Sequence, residues 1–162
     1  MATDPENTLI IELSTGGPVV IEMYPEKAPN HVARFQEQAR AGFYEGLVFH
    51  RVMDGFMAQG GDPTGTGMGK SDLPNLQAEF NDIEHVRGVV SMARSGDPDS
   101  ANSQFFIVLA DSLFLDGQYT AWGMVTEGME HVDKLTKGAP GSGAVPKDKQ
   151  GNIVSMKVAA DE

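Results

Sequence analysis

The chain has 162 residues, 40% apolar and 22% charged, with no cysteine and a net charge of −11 from 12 basic and 23 acidic residues. That length suits a single domain with a real core. The missing cysteines exclude disulfides and thiolate chemistry and fit a cytoplasmic location. The acidic balance, without a basic run, argues against nucleic acid and anionic membrane as partners.

Met1 to Asn7 reads as a frayed end without a secretory pattern. Leu9–Leu13 and Val19–Tyr24 are β-rich runs separated by STGGP, a hairpin signal. Pro29 and Gly42 bracket a helix on which Val32, Phe35 and Ala39 share a face. Strands are expected over Phe43–Val52, Phe56–Gly60, Val89–Ala93, Phe105–Leu109, Tyr119–Val125 and Ile153–Val158, with a turn over Ser112–Gly117. Gly128–Lys137 predicts a second short helix, with Met129, Val132 and Leu135 on one face. Ala139–Gln150 is a Gly/Pro-rich loop. Eight short strands and two helices that do not alternate with them point to a mainly β fold, an antiparallel barrel or sandwich with helices at its ends. No repeat or linker divides the chain, so residues 1–162 are read as one domain.

Three familiar chemistries find little support. His31, His50, His85 and His131 lack metal-ligand spacing, and no HExxH is present. GTGMGKS at Gly65–Ser71 resembles a P-loop, but Thr64 stands where its first glycine belongs, and Pro74 would break the following helix. His50, Asp62 and Ser103 have the right types for a hydrolase triad, but Ser103 sits in ANSQFF without a nucleophile elbow and is expected to bond a backbone group instead. What remains is three apolar segments carrying polar handles: FHRVMDGFMAQ, MAR followed by NSQFF, and LFLDGQY. Phenylalanine, methionine and tyrosine beside arginine and glutamine suit the wall of an apolar pocket with a few aimed donors.

FHRVMDGFMAQGGD, SMARSG followed by SQFFI, and FLDGQYTAWG resemble the signatures of the cyclophilin family of peptidyl-prolyl cis-trans isomerases, with a bacterial-like pattern, over about Leu9 to Val158. The resemblance implies a closed eight-stranded antiparallel barrel with a helix over each end. It implies catalysis by Arg51 without cofactor or metal. Phe56, Met57, Phe106 and Leu115 would line a proline pocket, and Gln59 would bond the substrate backbone on its amino side. Ala93, Gln104 and Tyr119 would complete the groove, His50 would support it, and the loop around Gly65–Gly69 would flank a second, shallower part. The implied partners are proline-containing peptides and unfolded or folding proteins, met by a monomer that assists folding as a rotamase and chaperone. Phe114, Tyr119 and Arg94 depart from many eukaryotic members, which carry tryptophan, histidine and asparagine there. Phe114 has no indole N–H to donate, so the family's inhibitor cyclosporin is expected to bind weakly.

Overall fold

The computed structural model describes residues 4–161. Eight strands, β1 (Thr8–Leu13), β2 (Gly16–Met23), β3 (Arg51–Met53), β4 (Met57–Gly60), β5 (Val89–Met92), β6 (Phe105–Val108), β7 (Ala121–Glu127) and β8 (Ile153–Val158), form one antiparallel sheet in the order β3-β4-β6-β5-β7-β2-β1-β8. The two edges, β3 and β8, do not pair as strands. They are tied by the chain just before β3: Val48 bridges Asn152, and Phe49 N–H donates to the Gly151 carbonyl at 2.8 Å. The expected closed barrel is therefore corrected to an open, curled sheet. The strand expected over Phe43–Val52 causes the difference, because its first part is turns. Gly42 and Gly46 take φ of +71° and +83° there, so only its last residues, with Met53, reach the ladder.

Helix α1 (Pro29–Arg40) opens on its proline and stops before Gly42, whose positive φ ends the helical path. Val32, Phe35 and Ala39 are buried, as their spacing predicts. Helix α2 (Met129–Asp133) is shorter than expected. The chain beyond it is drawn away where Gly138 N–H donates to the Val52 carbonyl. Ser112–Gly117 contains a 3-10 turn over Leu113–Leu115. Of the frayed end read over Met1–Asn7, Pro5–Asn7 instead form a 3-10 turn capped by Asp4, whose carboxylate accepts from the Glu6 N–H, and residues 1–3 lie outside the described residues.

The sheet has apolar residues on both faces. Phe105, Ile107, Val52, Ala58, Val90 and Met92 point into the main core, where Phe35 stacks on Trp122 with centroids 3.9 Å apart and Tyr44 lies 5.2 Å from Phe35. The alternate residues Met57, Phe106, Val108 and Val89 belong to a second cluster on the outer face, with Leu115 and Ala121. This is why β6, FFIV, is buried at every position and reads as a continuous apolar run rather than an alternation.

Candidate active site

The outer cluster carries the site. Strand register sets Arg51 opposite Gln59, and Gln59 opposite Phe106, so these side chains rise from one face in a row. Met57, two residues before Gln59, shares that face. They enclose a pocket of about 110 Å³. Phe56, Met57, Phe106 and Leu115 supply its apolar wall, with Arg51, Gln59, Ala93, Arg94 and Tyr119 around it. Phe106 and Tyr119 meet edge to face at 5.7 Å, and the Arg94 guanidinium lies 4.7 Å from the Tyr119 ring centre.

Arg51 is held by groups that do not cancel its charge. Its Nε donates to the Ser142 carbonyl at 3.0 Å, one Nη donates to Gln59 Oε1 at 3.2 Å, and the other lies 3.4 Å from Met53 Sδ. Among the described residues it has no carboxylate partner within salt-bridge distance. Arginine only donates, so Gln59 must present its oxygen to Arg51 and its amide nitrogen to Gln104 Oε1, at 2.9 Å. Gln104 Nε2 then donates to the Gly67 and Gly69 carbonyls, each at 3.0 Å. Arg51 thus donates to the loop around Ser142 on one side and, on the other, starts a directed chain of bonds through both glutamines to the glycine loop. Ser142 was not singled out by sequence reading, since a backbone carbonyl in a Gly/Pro-rich loop carries no side-chain signal. The loop approaches Arg51 closely at the next residue: Gly143 takes φ +75°, and a Cβ there would stand 2.5 Å from Met53 Cγ and 3.2 Å from Arg51 Cγ.

Three expected site residues lie outside this pocket. Gln104 lines a larger adjoining pocket of about 390 Å³ that shares Gln59, Ala93 and Arg94 with the first. His50 lines a cavity on the other side of Arg51, with Gly67, Ser142 and Gln150. Its buried Nδ1 has no hydrogen-bond partner among the described residues, and burial, with help from the Arg51 charge, lowers its pKa against the opposing pull of Asp62. Phe114 is 72% exposed at the rim, its ring 5.6 Å from Phe56. Trp122 is buried in the main core, stacked on Phe35, and does not take the place of Phe114.

The turn that carries Leu115 is anchored by a residue outside the expected set. Buried His85 meets Asp116 Oδ1 through Nδ1 and Ser91 Oγ through Nε2, both at 2.9 Å, and its ring stacks on Phe106. Ser91 is fully buried, so this Ser–His–Asp arrangement is closed to substrate. The triad weighed from sequence is not assembled: Ser103 Oγ donates to the Gly61 carbonyl at 2.8 Å. Asp62 is occupied by the glycine loop, accepting from the backbone N–H groups of Thr64, Thr66, Gly67 and Gly69. Burial alone would raise its pKa, yet those bonds outweigh burial and bring it down to about 2. The amides a phosphate would need are thus turned onto the loop's own carboxylate. Among the described residues, no group of three or more His, Cys, Asp or Glu is placed to hold a metal ion.

Fold and site define a mainly β protein with two adjoining pockets on the outer face of a curled eight-stranded sheet, a permanent cation on the wall of the smaller one. The family profile described as "Cyclophilin type peptidyl-prolyl cis-trans isomerase/CLD" matches residues 8–158. A probable peptidyl-prolyl cis-trans isomerase of Brucella suis biovar 1 (strain 1330) is 45% identical over 171 residues, covering 99% of this chain and 86% of that protein. Among solved structures, a cyclophilin from Hirschia baltica superposes with a TM-score of 0.87 at 32% identity, covering 100% of this chain and 77% of its own. A Cryptosporidium parvum cyclophilin-type isomerase, crystallised in the presence of the dipeptide Ala-Pro, gives 0.84 at 28% identity, covering 93% and 98%. The chain belongs to the cyclophilin-type peptidyl-prolyl cis-trans isomerase family, a family of isomerases.

Proposed function

We propose that this protein accelerates rotation about X–Pro bonds in peptides and in unfolded or folding chains, with Arg51 as the catalytic group. The observation that carries the reading is the fixed, unneutralised Arg51 guanidinium beside the pocket of Phe56, Met57, Phe106 and Leu115. An amide resists rotation by about 18–20 kcal/mol because its nitrogen lone pair is delocalised. Uncatalysed X–Pro exchange therefore takes roughly tens to hundreds of seconds. In the twisted state the lone pair is localised on nitrogen and accepts a hydrogen bond well. A donor there binds the transition state more strongly than the planar ground state, as catalysis requires. No proton carrier or nucleophile is needed.

Going from about 0.01 to about 1000 per second takes roughly 7 kcal/mol. One charged hydrogen bond contributes about 1.5–3 kcal/mol. The remainder falls to the pocket, which grips the ring while the acyl side turns, and to Gln59, whose bonds to Arg51 and Gln104 orient it before substrate arrives. Ala93, Arg94, Gln104 and Tyr119 extend the groove, Phe114 forms its rim, and His50 backs Arg51. The Ala-Pro dipeptide named for the Cryptosporidium parvum relative supports a proline ligand. We read residues 1–162 as one cyclophilin-like unit that works as a monomeric folding assistant in the cytoplasm, a reading in keeping with the profile match over residues 8–158 and the absence of cysteine.

Exchange NMR on a proline tetrapeptide tests the activity. Catalytic amounts of the protein should produce cis–trans cross-peaks on the sub-second timescale. Shifted peptide resonances without faster exchange would make it a peptide-binding module instead.

A further inference from the structure

The larger pocket is positively charged in a strongly acidic protein. Lys70 and Arg94 line it, and among the described residues no aspartate or glutamate does. Neither cation has a carboxylate within salt-bridge distance among the described residues, although the chain carries 23 acidic side chains against 12 basic ones. Arg94 is also fixed in place. Its Nε and one Nη donate to the Gln118 carbonyl at 3.0 and 2.7 Å, its other Nη donates to the Ser95 carbonyl at 2.9 Å, and its plane lies against Tyr119. Carbonyl partners orient the guanidinium without neutralising it and leave two of its five N–H groups free of these bonds. Asp62 shares the glycine loop with Lys70 but is buried and faces the loop amides, not the pocket.

We propose that this pocket selects an acidic side chain two residues before the proline. The proposal rests on the isomerase reading above. The two pockets share Gln59, Ala93 and Arg94, so they adjoin on one face. The residue before a proline is held extended. Side chains of an extended peptide alternate in direction, so the residue two before the proline faces the same way as the ring, about 7 Å along. With Gln59 on the substrate's amino side, that residue enters the larger pocket. A glutamate or aspartate there meets two cations, one of them preorganised, whereas a lysine would be repelled. With Asp62 turned onto the loop amides, these cations stay available against the protein's general negative field.

The test compares acetylated Glu-Ala-Pro-Phe and Gln-Ala-Pro-Phe amides by exchange NMR, which reads affinity from shifts and turnover from exchange. The glutamate peptide should have about five-fold lower KM and Kd with similar kcat. The preference should shrink between about 0.02 M and about 0.5 M salt. Lys70→Gln and Arg94→Gln should each reduce the Glu/Gln ratio, and the double substitution should bring it to one. Equal affinity for the two peptides overturns the proposal, as does a preference that survives both substitutions. If neither peptide exchanges faster, the isomerase reading falls, while the Kd ratio still decides whether the pocket selects acid.

Discussion

On the proposed reading, Arg51 does the work without a proton carrier. Its guanidinium is a permanent cation, and the pKa of its neighbour His50 is lowered by burial, with the Arg51 charge adding to this against the opposing pull of Asp62. Turnover should therefore vary by less than about two-fold between pH 6 and 8. A steep bell in a pH series of kcat would assign the chemistry to His50. Phe114 belongs to the same scale. It sits exposed on Phe56 and offers no N–H, so Phe114→Trp should tighten cyclosporin binding by about three- to ten-fold, the value of one neutral hydrogen bond, as read by titration calorimetry. Unchanged affinity would place the inhibitor elsewhere. Arg51, Phe56, Met57, Gln59 and Phe106 were legible in the sequence because long motifs carry them. Ser142 and the His85–Asp116 anchor were not. One acts through a backbone carbonyl, and the other joins residues 31 positions apart that no local pattern connects.

At the scale of elements, the glycine loop is shaped by a single carboxylate. Asp62 accepts four backbone N–H groups as well as the Thr64 hydroxyl at 2.8 Å, and the loop's carbonyls in turn hold Gln104. Because the folded-state pKa lies below the unfolded value, Asp62 contributes stability above about pH 4, and that contribution is lost as pH falls toward about 2. Asp62→Asn should cost about 1–3 kcal/mol at pH 7 in urea unfolding. The difference from wild type should shrink below about pH 4 and nearly vanish near pH 2. A pH-independent difference would mean that the loop is held by something other than the charge. The closely spaced glycines in GTGMGKS suggested a loop from sequence alone. Which ligand the amides faced was hidden, because only the fold turns them back onto a residue two to seven positions earlier.

The whole molecule is a curled sheet with two apolar faces, and this is where sequence patterning misleads most. Interior strands such as FFIV and VVSM are covered on both sides, so period-two alternation disappears. Strand count and order of types were still readable from turn glycines and β-branched runs. Closure was not, since it depends on whether the segment before β3 pairs as a strand or merely bridges Asn152. The outer cluster that forms the pocket rests on a sheet whose other face packs the aromatic core. Phe35→Ala, which removes the stack on Trp122 and the contacts to Tyr44 and Phe105, should cost about 3–5 kcal/mol and lower the melting temperature by several degrees or more. Calorimetry showing less than about 1 kcal/mol would mean that this core is not what holds the sheet.

The central claim is that a fixed guanidinium beside an apolar slot stabilises the twisted imide. It is tested most directly by exchange NMR of one proline peptide with wild type and Arg51→Ala, with Kd measured in the same samples. The rate at saturating peptide should fall by about two decades or more, equivalent to roughly 2.7 kcal/mol of transition-state binding, while Kd changes by less than about five-fold. A variant that binds and turns the peptide over at near wild-type rate would contradict it.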